Sequence, residues 1–381
     1  MDELNSKQLE AVNAIEGPVL VLAGPGTGKT TLLTYRIKHI LESTDISAEN
    51  ILCLTFTDSA RQTLKNKLVD RIGSDGYKVA IHTFHSFAGW VINNYNVYFD
   101  DYLLKQNIDE LTKYQIIYDI LSGLDFNDPL GKKVQDTYIY SKDIISLISL
   151  YKKGGFTPDE LAKNLQSDKK VLIPIDQAVA DNLSDVARIS AGSIDNFENL
   201  LAELIELGQS NQYLKQIITS LSQALVLAKS QSKVDTKPLT KWKNSWTTKN
   251  DLLKVQTKYS INLDKLISLV NIWNIYQDRM KTLGYYDFDD MILQVTEVLR
   301  KNPSLLANIQ ETFYYTMVDE FQDTSRVQVN LLEILMDSPV NEGRPNILIV
   351  GDDDQAIYGF QGAEYSNFSD YINKYKDVLV I

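Results

Sequence analysis

The feature that most constrains this chain is a glycine-rich loop between an apolar run and a helical pattern. The loop, Ala23–Thr30, follows the run Val19–Ala23 and precedes apolar residues spaced as on one helix face over 32–41. Closely spaced glycines let backbone N–H groups turn inward around phosphate oxygens, and the following helix directs its positive end to the same place. The pattern therefore predicts a phosphate-binding loop in a parallel α/β sheet.

In such a loop Lys29 reaches the β and γ phosphates of a nucleotide, and the Thr30 hydroxyl binds Mg²⁺. Ala23 stands where the usual pattern begins with glycine, so the strict form is not met. The alternative is a glycine-rich turn with a chance Lys-Thr, which the strand before and the helix after argue against. The loop residues expected to bind ATP are Ala23, Gly24, Pro25, Gly26, Thr27, Gly28, Lys29, Thr30 and Thr31.

Two acidic residues, Asp319 and Glu320, end a second apolar run far downstream, Tyr315–Val318. Asp319 can hold the Mg²⁺ of a nucleotide, and Glu320 can polarise the attacking water. A solvated acidic loop is the alternative reading of any Asp-Glu pair. The adjacent Gln322-Asp323 and the upstream phosphate loop favour the metal site.

A third polar segment, Gly351–Gln355, follows the apolar run Ile347–Val350. Gln355 is placed to sense the γ-phosphate by hydrogen bonding, with a turn glutamine as the alternative. The expected catalytic residues are therefore Glu320, Lys29 and Gln355.

Composition sets the class of the protein. The chain has 381 residues, 44% of them hydrophobic and 23% charged, which is enough apolar material for more than one core. The lone Cys53 excludes a disulfide framework and a cysteine-based zinc site, and no apolar run is long enough to span a membrane. We expect a soluble, cytoplasmic protein. The net charge of −12 argues against a uniformly basic nucleic-acid binder, but a motor needs only a local groove.

Strand and helix patterns alternate over residues 1–99 and again over 300–381, whereas residues 100–299 are helical throughout. This predicts a sheet domain with a large all-α insertion. The last residues, Val378–Ile381, have the pattern of a further strand that the chain leaves unused.

Seven segments occur in the order found in UvrD/Rep/PcrA-like superfamily 1 DNA helicases, which the chain resembles. They are Leu4–Val12, Ala23–Thr30, Thr55–Thr57, Thr83–Ser86, Asp287–Asp290, Val318–Ser325 and Val350–Ala363. The resemblance implies the N-terminal half of such a helicase, with a RecA-like P-loop NTPase domain (1A) and an inserted helical domain (1B). It implies ATP-driven movement 3′ to 5′ on single-stranded DNA, with ATP and Mg²⁺ as cofactors and DNA repair among the possible roles.

The resemblance also assigns roles to single residues. Gln8 resembles the residue that reads the adenine edge, and Thr83 and His85 resemble a motif that contacts the strand backbone. Phe56, Tyr358 and Phe360 resemble aromatics that stack on bases, which suits a sequence-blind strand binder. Phe56 and Phe360 as core aromatics, and His85 as a capping or core histidine, remain open alternatives.

Three departures from the family pattern concern, in turn, a packing partner of the adenine, a positive charge near the DNA path, and the link between nucleotide state and grip on the strand, which is then weaker or made differently. Thr31 stands where arginine is common, Asp58-Ser59 replaces Asn-Lys, and Tyr358–Ala363 lacks both usual arginines. A basic and aromatic stretch, Lys229–Tyr259, lies where the resemblance fades. It fits either a nucleic-acid surface or a solvated helix face with its tryptophans packed inward.

Two functions of different classes remain open on sequence alone. The first is an ATP-dependent helicase that binds single-stranded DNA and duplex junctions, of which this chain is the N-terminal half. A second RecA-like domain, expected to be missing here, would supply arginines to the ATP cleft. The second is a nucleotide-dependent module that binds a single strand or a partner protein without moving. Neither reading involves a membrane.

Overall fold

The computed structural model describes residues 4–99, 106–186, 188–208, 212–230, 235–249, 255–338, 341–352 and 366–381. The chain forms two compact units. The first is drawn from Met1–Lys113, Ile145–Phe156 and Arg279–Ile381, and the second from Tyr114–Ile144 and Thr157–Asp278. In the part of the chain that the structure describes, no helix is long and apolar enough to span a membrane.

The strands are short, and most of them lie in the first unit. They are β1 Val19–Leu22, β2 Ile51–Thr55, β3 Ala80–Thr83, β4 Gln106–Asn107, β5 Lys133–Val134, β6 Thr137–Tyr138, β7 Thr247–Lys249, β8 Val255–Thr257, β9 Tyr285–Tyr286, β10 Tyr315–Val318, β11 Ile347–Gly351 and β12 Leu379–Val380.

The α-helices occur in both units. They are α1 Ser6–Asn13, α2 Lys29–Ser43, α3 Asp58–Ile72, α4 Phe84–Asn94, α5 Glu110–Ser122, α6 Ser141–Lys153, α7 Pro158–Leu183, α8 Ile194–Glu206, α9 Gln212–Lys229, α10 Lys237–Trp246, α11 Lys258–Leu283, α12 Phe288–Lys301, α13 Pro303–Thr312, α14 Arg326–Met336 and α15 Ser366–Lys374.

Six strands of the first unit form one sheet in the order β12-β1-β11-β10-β2-β3, and every pairing in it is parallel. Residues 19–22 of β1 pair with 348–351 of β11, and residues 315–318 of β10 pair with 51–54 of β2. The carboxyl ends of parallel strands meet at one edge of a sheet, which is where open α/β sheets bind ligands. The predicted RecA-like parallel sheet is confirmed.

Helices cover both faces of this sheet because its strands alternate in the side chains they direct to each face. Leu52 and Leu54 of β2 belong to one hydrophobic core, and Ile51 and Cys53 belong to the other. The first core is completed by α4, α12 and α14, and the second by α1, α2 and α3. Cys53 is buried and packs as a small hydrophobic residue, as expected.

The boundary between the units differs from the one expected from the sequence, which placed residues 100–299 in the insertion. Helix α12 lies in the first unit, where Ile292 and Val295 share a core with Phe87 of α4. Its apolar residues recur every three or four positions, so that one face of the helix is buried in that core. The second unit accordingly ends at Asp278.

The last strand is also used differently from the expectation. Residues 379–380 of β12 pair in parallel with residues 19–20 of β1, and the Ile381 carbonyl accepts a hydrogen bond from the Leu22 N–H at 3.0 Å. The prediction that the chain leaves this strand unused is therefore wrong. Its apolar side chains pack against the edge of the phosphate-loop strand, where they remove apolar surface from water.

Among its described residues, the second unit is helical apart from two short antiparallel pairs, β5–β6 and β7–β8. The basic and aromatic stretch lies here, and its Trp242 is buried at 4% exposure. The Trp242 indole donates to Ser220 Oγ at 3.0 Å and meets Phe197 edge-on, while Lys243 Nζ donates to the Val186 carbonyl at 2.8 Å. For Trp242 these contacts support the packed, structural reading of the stretch.

Candidate functional site

The glycine-rich loop joins β1 to α2 at the carboxyl edge of the sheet. Gly26 and Gly28 have φ angles of 74° and 87°, in the left-handed region where other residues are strained. Thr27 Oγ1 closes the loop by donating to the Gly24 carbonyl at 2.8 Å. Helix α2 begins at Lys29, and the first N–H groups of a helix have no partner within it. The loop and the helix therefore provide the backbone donors that a phosphate needs.

The acidic pair follows β10, which lies between β2 and β11 in the sheet. Asp319 continues the strand pairing, since its N–H donates to the Leu54 carbonyl at 2.9 Å. Glu320 then leaves the strand with φ 53° and ψ 48°, a left-handed conformation that costs about 1–2 kcal/mol for a residue other than glycine. Strained backbone of this kind is often found at functional sites.

The structure brings Lys29 and Glu320 together. Lys29 Nζ lies 2.6 Å from Glu320 Oε2, and the two side chains are 10% and 33% exposed. The same Oε2 accepts a second hydrogen bond from Gln322 Nε2 at 2.7 Å. One carboxylate oxygen thus has two donors, one of them cationic, and two residues proposed from separate motifs share one site.

Burial raises the pKa of the Asp319 carboxyl to about 6, and the neighbouring Glu320 carboxylate adds to this rise, while Lys29 opposes it. The physical cause is the cost of holding a negative charge away from water and beside another negative charge. Burial and Glu320 also raise the pKa of Asp323. A cation bound at Asp319 would offset both effects.

The residues present fit a magnesium ion that arrives with a nucleotide. The described residues hold no cluster of three or more His, Cys, Asp and Glu side chains of the kind that binds a metal alone. Nucleotide-bound Mg²⁺ does not need one, since it takes one or two carboxylates together with phosphate oxygens. Thr30, the second residue of α2, and the buried Asp319 supply a hydroxyl and a carboxylate at the same edge of the sheet.

Gln8 connects α1 to the phosphate loop. Its Oε1 accepts the Asn5 N–H at 2.9 Å, which completes a capping box at the start of α1. Its Nε2 donates to the Thr27 carbonyl at 2.8 Å. An amide has two donor hydrogens and two acceptor lone pairs, so these bonds leave it the capacity to bind a base edge.

An open cleft of about 200 Å³ lies beside the loop. Five of the residues expected to bind ATP line it, namely Gln8, Ala23, Gly24, Thr27 and Lys29. Its other lining residues are Asn5, Lys7, Val21, Leu22, Leu32 and Ile381. The lining therefore combines polar groups of α1 and the loop with apolar side chains of β1 and α2, a mixture that suits a base joined to phosphates.

Two residues predicted to contact DNA lie near the carboxyl ends of neighbouring strands. Phe56 follows β2 and is half-buried. Thr83 ends β3, and its Oγ1 accepts the Ser86 N–H at 3.1 Å as the cap of α4. Thr83 is buried at 7% exposure, so its hydroxyl has a structural use whatever its role toward DNA.

His85, the third predicted DNA contact, lies beside a residue to which the sequence analysis gave no role. The Phe288 ring meets the His85 ring edge-on at 5.8 Å between centroids and is 53% exposed. Burial lowers the pKa of His85, with Asp289 opposing and Lys153 adding to this effect. An exposed phenyl ring is a usual base-stacking surface. The sequence did contain a signal for this residue, because the segment Asp287–Asp290 is one of those that carry the resemblance. The resemblance assigned no function to the Phe288 ring.

Three predicted site residues, Gln355, Tyr358 and Phe360, lie outside the described residues. The segment before them is described as far as Asp352, which is buried at the end of β11.

Comparisons with known proteins agree with the resemblance. The family model for the UvrD/REP helicase N-terminal domain matches residues 4–226 and 209–376. The ATP-dependent DNA helicase PcrA of Staphylococcus aureus strain Mu50 is 25% identical over 381 residues, which is 100% of this chain and 37% of that protein. The protein of the same name from Staphylococcus epidermidis strain ATCC 12228 is 25% identical over 379 residues, with the same 37% covered. The chain thus spans little more than a third of the length of these relatives.

Proposed function

We propose that this chain, which belongs to the UvrD/REP helicase family, forms the ATP-binding and strand-gripping part of a DNA helicase that moves 3′ to 5′ along single-stranded DNA. The observation that carries the proposal is the contact of 2.6 Å between Lys29 Nζ and Glu320 Oε2. It joins the phosphate loop to the acidic strand end. Phosphoryl transfer to water needs this combination, a cation for the phosphates beside a group that orients the water.

We assign the nucleotide-binding roles as follows. Backbone N–H groups of the loop 23–28 bind the phosphates, and Lys29 contacts the β and γ phosphates. Thr30 and Asp319 hold Mg²⁺, which when bound neutralises charge on the phosphate oxygens. Gln8 binds the adenine edge with the hydrogen-bonding capacity that remains after its side-chain bonds to Asn5 and Thr27. Gln355 contacts the γ-phosphate, an assignment that rests on the resemblance alone.

Glu320 acts as the group that activates water. Phosphate oxygens compete with its carboxylate for the Lys29 ammonium, so that nucleotide binding weakens the ion pair. Gln322 still donates to Oε2, and the carboxylate can then accept a proton from a water molecule near the γ-phosphate. A positioned base of this kind contributes about 10²- to 10⁴-fold in rate.

The proposed DNA path runs over the carboxyl ends of β2 and β3. Phe56 and Phe288 stack on bases, with His85 beside Phe288 and with Thr83 at the strand backbone. Stacking suits a motor because every base has a π-face. Tyr358 and Phe360 belong to the same path on the resemblance alone. A role in DNA repair and a cytoplasmic location stay predictions.

The proposal includes a further RecA-like domain, on this protein or on a partner, that contributes arginines to the cleft. No arginine is among the described residues that line it. Arginines that reach the transferring phosphoryl group are worth about 10³- to 10⁵-fold in rate in related enzymes. With such a domain, we propose that duplex junctions are the substrate for unwinding.

The competing function is a nucleotide-dependent module that binds a single strand or a partner protein without moving. Asp58 favours it, since this residue begins α3 two positions after Phe56 and its carboxylate lies 3.2 Å from Arg61 Nε. A carboxylate paired with a nearby arginine would weaken a phosphate contact at that point.

Single-turnover hydrolysis of radiolabelled ATP, with protein in excess and with or without an oligonucleotide, separates the two functions. We expect the 381-residue chain to bind Mg-ATP and to hydrolyse it slowly, with little stimulation by DNA and no unwinding. Joining a second RecA-like domain of a relative should restore rapid turnover and unwinding of a duplex with a 3′ tail. Binding of Mg-ATP with no hydrolysis above a Lys29→Ala control, even in the joined protein, would favour the binding module.

A further inference from the structure

Gln322 holds two polar groups that come from different strand ends. It follows β10 by four residues and is buried at 3% exposure. Its Nε2 donates to Glu320 Oε2 at 2.7 Å, and its Oε1 accepts the Asp352 N–H at 3.0 Å. One amide therefore connects the carboxylate assigned to water activation with the first residue after β11.

The neighbouring strands place these groups within reach of one side chain. Residues 316–318 of β10 pair with 347–349 of β11, so both strands end at the same edge of the sheet. Gly351 leaves room for the amide, since a Cβ atom at this position would lie 2.8 Å from Gln322 Oε1 and 2.7 Å from the Phe368 ring. Such a close approach is possible only with glycine.

The chemistry of the contact requires an amide. A carboxylate accepts but does not donate, so that a glutamate here could hold the Asp352 N–H but would repel Glu320. An aliphatic side chain of the same length could do neither, and it would leave the buried N–H of Asp352 without this acceptor.

We propose that Gln322 is a positioning residue, which fixes the Glu320 carboxylate relative to the backbone of Asp352 at the end of β11 and thereby holds it in place for water activation. This inference rests on the proposed function, since it assigns Glu320 to the reaction. A displacement of the Asp352 backbone would be transmitted through the amide to the carboxylate.

The test measures single-turnover hydrolysis and Mg-ATP affinity in Gln322→Met and Gln322→Glu. The matched control is Gln328→Met, because Gln328 is also a buried amide but accepts the Ser325 N–H at 3.0 Å in the cap of α14. We expect both Gln322 variants to hydrolyse ATP roughly 10- to 100-fold more slowly, as for loss of a hydrogen bond to a charged group. Mg-ATP affinity should change less than about threefold, and Gln328→Met should lose stability but keep its rate.

A double variant decides whether Gln322 acts through Glu320. If it does, Gln322→Met should add little to the loss already caused by Glu320→Gln, since two residues that act as a unit are not additive. Unchanged hydrolysis in both folded Gln322 variants, equal losses in Gln328→Met, or full additivity in the double variant would each overturn the inference. The proposed function fails separately, through a hydrolysis rate no higher than that of Lys29→Ala even in the protein joined to a second RecA-like domain.

Discussion

The Nζ atom of Lys29 lies 2.6 Å from Oε2 of Glu320, although 291 positions separate the two residues in the sequence. With the lysine side chain only 10% exposed, this ion pair is less screened by solvent than a surface pair. A buried carboxylate, Asp319, lies directly before Glu320. Two neighbouring acids therefore lie at this strand end, and the lysine provides a positive charge that partly compensates them.

We expect Glu320→Gln to bind Mg-ATP within a few fold of wild type but to lose most of its hydrolysis. The amide keeps the shape of the side chain but cannot take a proton from water, a loss that typically costs about 10² to 10⁴ in rate. Rates should be measured with single-stranded DNA present, alongside nucleotide affinity. Comparable rates in the two proteins would assign Glu320 a structural role.

Lys29→Ala should instead weaken Mg-ATP binding itself, by about tenfold or more, because a charge-assisted contact to the phosphates is lost. Isothermal titration calorimetry with a slowly hydrolysed ATP analogue gives the affinity. Lys38→Ala is the matched control on the same helix, since Lys38 makes an exposed contact with Glu42 at 3.6 Å. Equal affinities in Lys29→Ala and Lys38→Ala would remove Lys29 from the phosphate site.

Phe288→Ala and Phe56→Ala should each weaken binding of single-stranded DNA by about 1–3 kcal/mol, with little dependence on base sequence. Their melting temperatures should change little, because neither ring is fully buried. Phe87→Ala is the contrasting control, since this ring is 0% exposed and its loss should cost about 3–5 kcal/mol of stability. A large drop in melting temperature with unchanged DNA affinity would identify Phe56 or Phe288 as a core residue.

Stability should fall as the pH is lowered from about 6.5 towards 4, in part because of His82. Burial lowers the pKa of His82 from 6.5 to about 4, and Arg61 and Lys65 add to this. Between these values the unfolded chain binds a proton that the folded chain excludes, so the free energy of unfolding rises with pH across this window. Allowing for solvent screening, we expect a contribution of about 1–2 kcal/mol.

The measurement is urea unfolding of wild type and His82→Gln at several pH values across the window. The variant can differ in absolute stability, but its free energy of unfolding should depend less steeply on pH. Parallel pH profiles for the two proteins would show that His82 is protonated to the same extent in the folded and unfolded chains.

The features that could be predicted from the sequence are those that depend on residues close together in the chain. Strands such as Tyr315–Val318 and the start of the phosphate loop at the end of β1 follow from short apolar runs and from glycines that permit left-handed backbone. The acidic pair after β10 was recognisable for the same reason. Backbone conformation and strand burial depend mainly on local sequence, so a linear reading was sufficient for these elements.

Tertiary structure alone decided the contacts between distant segments. The order β12-β1-β11-β10-β2-β3 determines that Lys29 meets Glu320, that Gln322 reaches Asp352, and that the last strand pairs with β1. The same packing draws α12 into the core of the first unit and brings Phe288 against His85. Nothing in a linear sequence fixes which strands become neighbours, because that choice depends on how the two faces of the whole sheet are covered.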